Sequence, residues 1–135
     1  MPLIVWNDNL SVNVAEIDMQ HKKLVTMINE LNDAMKAMKT KEVLGKIIQG
    51  LLNYTATHFA TEERYFKQYN YPGAPTHIQE HQIFVKKVTD FKKGFDENKF
   101  MLSMEIINFL KNWLIKHIQG TDKKYTEFFH QHGLK

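Results

Sequence analysis

Five of the seven histidines, one glutamate and one aspartate fall at spacings that let their side chains meet: His21, His58 with Glu62, His77 with His81, and His117 with Asp122. Positions four apart share one face of a helix, so His58 and Glu62, and likewise His77 and His81, can aim at one point. Imidazole and carboxylate together suit first-row metals such as iron, manganese or zinc, whereas calcium and magnesium prefer all-oxygen sites. Seven ligands are too many for one zinc, which takes about four. Two six-coordinate metals offer roughly twelve positions. Five histidines, two bridging carboxylates and one bridging oxygen fill about eleven of them. One open position on a dinuclear centre suits a small ligand such as dioxygen.

Ligand type bears on the chemistry. The di-iron carboxylate proteins of helix bundles use four Glu and paired Glu-x-x-His motifs. Five neutral imidazoles and two carboxylates support high-valent iron less well, which favours reversible binding over O–O cleavage.

Four helices must carry these groups. Ile17, His21, Leu24, Ile28, Leu31, Met35 and Met38 recur at alternating intervals of four and three. So do Leu44, Ile48, Leu51, Thr55, His58, Glu62 and Tyr65. His77, His81, Phe84, Val88, Phe91 and Phe95 form a third such row, and Ser103, Ile106, Leu110, Trp113 and His117 a fourth. This rhythm is the seam of near-parallel or antiparallel helix packing. The metal-type residues occupy the seam where an apolar residue would otherwise stand. Approximate helices are expected over 18–38, 41–66, 76–95 and 103–119. Thr40 is placed to cap the second, and Thr76-x-x-Gln79 reads as a capping box for the third, after the Asn70–Pro75 loop. Short connections favour antiparallel neighbours, so the expected fold is all-α: an up-down-up-down four-helix bundle in one domain over 1–135. Residues 1–17 are expected to form an arm packed across it through Trp6, Val12 and Val14. His117 and Asp122 are five apart, about 140° off in a regular helix. They can share a centre only across an irregular turn, such as a π-type bulge near Gly120.

The bulk composition excludes several function classes. A chain of 135 residues with a net charge of +3 and scattered lysine pairs has no nucleic-acid footprint. No cysteine means no disulfide, iron–sulfur cluster or thiolate zinc site. No apolar run of membrane-spanning length and no signal-peptide pattern occurs, so a cytoplasmic protein without membrane insertion is expected.

With Trp6, Ile17-Asp18-x-Gln20-His21, His58-Phe59-x-x-Glu62-Glu63, Tyr71-Pro72 and Phe109-Leu110-x-x-Trp113-Leu114, the chain resembles the hemerythrin family in its single-domain bacterial form. That resemblance implies two iron ions, cycling between Fe2+ and Fe3+, with a bridging oxo or hydroxo group. It implies that His77, His81 and His117 hold the saturated iron and that His21 and His58 hold the iron with the open position. Glu62 and Asp122 would bridge the pair. Trp113, Leu114 and Ile118 would line the dioxygen pocket and exclude water. Tyr65-Phe66 departs from the Met common in bacterial members and is expected to alter packing near the second iron.

The function this implies is non-enzymatic: reversible dioxygen binding for storage or for delivery to an oxygen-consuming client enzyme, by a monomer. The alternatives are a di-iron enzyme (oxidase, peroxidase or nitric-oxide handling) and an oxygen sensor on the same site. Iron storage is disfavoured by the capacity of two ions per chain. Elsewhere the plain readings hold. His130 and His132 are expected at the surface, and Glu63 as a second-layer or surface carboxylate. Met27, Met35, Met38, Met101 and Met104 are read as bundle filler, and Phe59, Phe84, Phe91, Phe95 and Phe109 as core.

Overall fold

The computed structural model describes residues 3–99 and 101–135, so the first two residues of the expected arm lie outside the described part. Four helices run up and down: α1 (Ala15–Lys36), α2 (Lys41–Tyr69), α3 (Ala74–Asp96) and α4 (Met104–Lys116). A π turn (His117–Thr121), a 3-10 turn (Asp122–Tyr125) and a short α5 (Thr126–Gln131) then complete the chain. No strand occurs among the described residues. α1 packs on α2 and α4, and α2 on α3. The Phe84 and Trp113 rings, 4.2 Å apart, join α3 to α4. The fold is an all-α four-helix bundle.

Helix ends follow local chemistry. Thr40 accepts a hydrogen bond from the Val43 N–H at 3.3 Å, capping α2. Asn70 ends that helix in the left-handed region (φ 56°), which asparagine tolerates well. The capping box expected at Thr76 is not used. α3 starts two residues earlier, after Gly73, with Pro75 in the first turn. The fixed φ of proline suits that position, and its missing N–H has no partner to lose there. Gly73 leaves room for the Tyr71 ring: a Cβ there would come within 2.8 Å of the ring's far edge, which would have to move.

The arm is held by both polar and apolar contacts. Asn29 of α1 accepts from the Ile4 N–H and donates to the Ile4 carbonyl, both at 2.8 Å. Asp18 accepts from the Val12 N–H at 2.8 Å and from the Ser11 hydroxyl at 2.5 Å. Ile4, Leu10, Val12 and Val14 are buried, each contributing about 1.5–3 kcal/mol. α1 begins directly after Val14, three residues before the expected start.

Three of the expected filler residues are exposed instead. Met38 is 89% exposed because α1 stops at Lys36 and Met38 takes a left-handed turn conformation (φ 55°). Met101 is likewise 86% exposed, in the connection before α4, and Met104 is exposed at its first turn. Met27 and Met35 do pack against the core.

The segment after residue 119, beyond the expected fourth helix, belongs to the core. Tyr125 and Phe129 are fully buried, and α5 folds back on the arm. The Thr126 hydroxyl donates to the Val12 carbonyl at 2.8 Å, and the half-buried His130 Nε2 donates to the Asn13 carbonyl at 2.7 Å. His132 is exposed.

Candidate metal centre

Antiparallel packing brings the chemistry to one end of the bundle. His21 lies near the start of α1, His58 and Glu62 late in α2, His77 and His81 early in α3, and His117 directly after α4. The π turn then solves the five-residue gap. Its wider winding puts Asp122 back on the face that His117 occupies, so both reach the same centre. All seven side chains are at most 4% exposed.

The ligand-type atoms form two groups that share Glu62. One group holds Glu62, His77, His81, His117 and Asp122, and the other His21, His58 and Glu62. Asp122 also spans both. Its Oδ1 lies 2.8 Å from His77 Nε2 and 3.0 Å from His117 Nε2, while its Oδ2 lies 3.1 Å from His21 Nε2. Glu62 reaches both sides through Oε1, 3.2 Å from His58 Nε2 and 3.3 Å from His81 Nε2. Its Oε2 accepts a hydrogen bond from the Tyr125 hydroxyl at 2.5 Å.

Whether the cluster fits metal ions turns on where protons can sit. The His58 Nδ1–H donates to Gln20 Oε1 at 2.6 Å, that of His81 to Glu63 at 3.1 Å, and that of His117 to Glu80 at 3.2 Å. A neutral imidazole protonated at Nδ1 presents a lone pair at Nε2. These lone pairs point at carboxylate oxygens and at one another: His77 Nε2 and His117 Nε2 are 3.1 Å apart. With the imidazoles neutral and no proton on Nε2, Glu62 Oε1, both Asp122 oxygens, His21 Nε2 and His81 Nε2 have no hydrogen-bond partner among the described residues although buried. Each such group costs about 1–3 kcal/mol if left so. A buried array of acceptors facing acceptors is suited to a pair of cations.

Protons partly fill that role in the metal-free protein. Burial pulls the His117 imidazole down, but the Asp122 charge and hydrogen bond, with Glu62 and Glu80 behind them, push it up to about 9. Burial also pushes Asp122 up, yet His117 and the hydrogen bonds from His117, His21 and His77 outweigh it, leaving Asp122 well below the usual carboxylate range. Glu62 follows the same pattern. Burial and the Asp122 charge raise it, and the His58 charge with hydrogen bonds from His58 and His81 brings it below normal. Tyr125 goes the other way. Burial first, then Asp122 and Glu62, push its hydroxyl well above 10, so it remains a permanent donor to Glu62.

The aromatic surroundings lock the imidazoles. Phe59 stacks on His81 at 3.7 Å with a 6° interplanar angle, and Trp113 stacks on His117 at 4.4 Å. Tyr125 stacks on His77 at 5.5 Å. The Tyr65-Phe66 pair does not sit where expected. Tyr65 turns outward to donate to Glu16, and buried Phe66 packs on His77 and Tyr125, beside the three-histidine group.

Below the ligands is a small enclosed cavity lined by Leu24, Ile28, Leu51, Thr55, Phe59, Phe84, Trp113 and Leu114. Most of these lie one helical turn from a histidine: Leu24 after His21, Thr55 before His58, Phe84 after His81, Leu114 before His117. The Thr55 hydroxyl is spent on the Leu51 carbonyl at 2.7 Å, so the walls are effectively apolar. The cavity has about 10 Å³ open to the centre of a water-sized sphere, enough for about one small molecule. Trp113 and Leu114 line it. Ile118 is fully buried in the π turn but is not part of this lining.

Tyr125 and Glu80 had no place in the sequence reading. A signal for the first existed: after the five-residue step, Asp122, Tyr125 and Phe129 resume the three-four rhythm of the seam. Glu80, one residue from His81, faces the neighbouring helix's His117, which no spacing within α3 discloses.

Comparison with known proteins agrees with this geometry. The family model described as the hemerythrin HHE cation binding domain matches residues 12–129. A bacteriohemerythrin of Stenotrophomonas maltophilia (strain R551-3) is 33% identical over 127 residues, covering 94% of this chain and 82% of that one. One from Methylococcus capsulatus (strain ATCC 33009 / NCIMB 11132 / Bath) is 30% identical over 126 residues, covering 93% and 95%. The crystal structure of wild-type hemerythrin superposes with a TM-score of 0.88 at 29% identity, covering 93% of this chain and 96% of that one. Matched along nearly its whole length in sequence and in fold, and built around a buried histidine–carboxylate cluster, this chain belongs to the hemerythrin family.

Proposed function

We propose that this chain binds dioxygen reversibly at a non-heme di-iron centre, storing it or delivering it to an oxygen-consuming enzyme. The observation that carries the reading is the unequal division of the cluster, three histidines against two around shared carboxylates, above an apolar cavity. His77, His81 and His117 would hold one iron, His21 and His58 the other, with Glu62 and Asp122 serving both and an oxo or hydroxo group between. When bound, the iron pair supplies the electrons that hold dioxygen and takes them back on its release.

The protein's part is to orient and to keep dry. Outer partners fix Nε2 of His58, His81 and His117 toward the centre. Leu24, Phe59, Trp113 and Leu114 deny water a hydrogen-bonding partner at the cavity, which slows protonation and loss of a charged ligand state. Tyr125 steadies Glu62 by donating to its Oε2. An oxidase or peroxidase on this site would need a proton donor at the cavity, whose one hydroxyl, Thr55, is spent on the Leu51 carbonyl, so the carrier reading ranks first. No helix among the described residues is long and apolar enough to cross a membrane.

The test is optical. Iron-loaded protein is reduced without air, exposed to oxygen and then stripped of it through several cycles. Visible absorption that appears and disappears with oxygen, at constant iron content, supports the carrier. Irreversible conversion to the ferric form with consumption of peroxide or another substrate supports the enzyme instead.

A further inference from the structure

The two halves of the cluster differ in what stands behind their histidines. In the three-histidine group both outer acceptors that are present are anionic, Glu63 behind His81 and Glu80 behind His117, while His77 Nδ1, though buried, has no hydrogen-bond partner among the described residues. Glu80 is itself anchored, since the Thr121 hydroxyl of the π turn reaches its two oxygens at 2.8 and 2.9 Å. In the two-histidine group no carboxylate among the described residues accepts from an imidazole Nδ1. His58 donates to the neutral amide oxygen of Gln20, and His21 Nδ1, though buried, has no hydrogen-bond partner among the described residues.

The Gln20 amide is oriented by its own partner. Its Nε2 donates to Thr61 Oγ at 3.3 Å, which leaves Oε1 facing His58. A carboxylate that accepts Nδ1–H draws the proton outward and makes Nε2 a stronger donor to a metal. An amide oxygen does so much less, because it carries no net charge. The asymmetry therefore adds to the difference in histidine number.

We propose that the contrast between neutral Gln20 behind His58 and anionic Glu63 and Glu80 behind His81 and His117 makes the two metal positions electronically unequal. Gln20 is then the positioning residue that keeps the two-histidine position the weaker binder of a divalent cation. It also keeps that position more at ease in the lower oxidation state, as suits a position that must let its ligand go. This rests on the dinuclear reading above.

The experiment titrates metal-free full-length protein with cobalt(II) under anaerobic conditions, following visible absorption, and repeats it with Gln20→Glu and Gln20→Leu. Wild type should take up two ions in two steps. Gln20→Glu should strengthen the second step about tenfold and Gln20→Leu should weaken it about tenfold, with the first step unchanged within about twofold. In zinc-loaded protein the His58 ring N–H resonance should move downfield in Gln20→Glu, a change that mere loosening of the fold does not produce. With iron, the same variant should lower the midpoint potential. Two cobalt ions bound with a second step indifferent to Gln20, or both steps shifted alike, overturns this proposal and leaves the dinuclear reading standing. Fewer than two cobalt ions per wild-type chain overturns both. Gln20 is half-buried at the bundle surface, and circular dichroism of both variants checks that they fold.

Discussion

Removing one oxygen atom tests the internal logic of the centre. In Tyr125→Phe the ring keeps its stack on His77 and its packing on Phe66 and Phe129, so the core volume is nearly unchanged. The loss is the hydroxyl that donates to Glu62 Oε2. Glu62 is fully buried, so water cannot take the vacated place without opening the bundle. A hydrogen bond to a charged group contributes about 1.5–3 kcal/mol. For 135 residues the unfolding entropy is roughly 0.28 kcal/mol/K, from about 2.1 cal/mol/K per residue. The melting temperature of the metal-free protein should thus fall by roughly 5–11 °C. The Tyr125 hydroxyl is pushed up from its ordinary value, so its contribution is fully present below about pH 10 and is lost only as pH rises beyond that. The difference between variant and wild type should therefore be alike at pH 6 and pH 8. Tyr71→Phe is the control, since the Tyr71 hydroxyl makes no hydrogen bond among the described residues, and it should shift the midpoint by less than about 2 °C. Calorimetry of chelator-treated protein gives the answer. A Tyr125→Phe midpoint within about 2 °C of wild type would refute the idea that this hydroxyl holds Glu62 in place.

Three further outcomes are expected. His117 is raised to about 9 in the metal-free site, so its share of stability is fully present below about pH 6.5 and lost as pH rises through 9. Asp122 is depressed and acts in the opposite sense, its share vanishing as pH falls through the acid range. Metal must displace the His117 proton, so cobalt affinity measured by competition should climb about tenfold per pH unit below 9 and flatten above it; a flat profile from pH 6 to 8 contradicts this. Gly73→Ala forces a Cβ to 2.8 Å from the Tyr71 ring and should cost about 1–3 kcal/mol in chemical denaturation, but much less when made in a Tyr71→Ala background. Leu51→Ala enlarges the cavity below the ligands and should cost about 2–5 kcal/mol while speeding air oxidation of the reduced iron form; unchanged oxidation would show that this wall does not control water access.

The seam rhythm made the four helices and their antiparallel order legible, because three-four spacing leaves few other ways to bury one stripe per helix. The gap between His117 and Asp122 was legible for a stricter reason. A regular helix cannot aim both residues at one centre, so the irregular turn was a geometric necessity once both were assigned to it. What escaped were features set by contacts between elements. The start of α3 was misplaced because Thr76 and Gln79 satisfy a capping pattern, while the turn through Tyr71 and Gly73 had already brought the chain into helical geometry. Met38 fitted the α1 seam on paper, but the helix ends before the seam does. The aromatic closure by Tyr125 and Phe129 was hidden by the phase shift that the π turn introduces.

That phase shift links fold to site. Without the extra residue in the turn, Asp122 would not share a face with His117, and Tyr125, three residues on, would not face Glu62. Thr121, inside the same turn, holds Glu80 against His117. One local departure from α-geometry thus sets a carboxylate shared by both groups, a donor to the other shared carboxylate, and the anchor of an outer acceptor. The residues involved come from one short stretch, yet their partners lie on α1, α2 and α3. The turn cannot relax to a regular helix without breaking contacts with all three at once. It is held by the packed bundle, and the bundle in turn gains a centre that only this geometry completes.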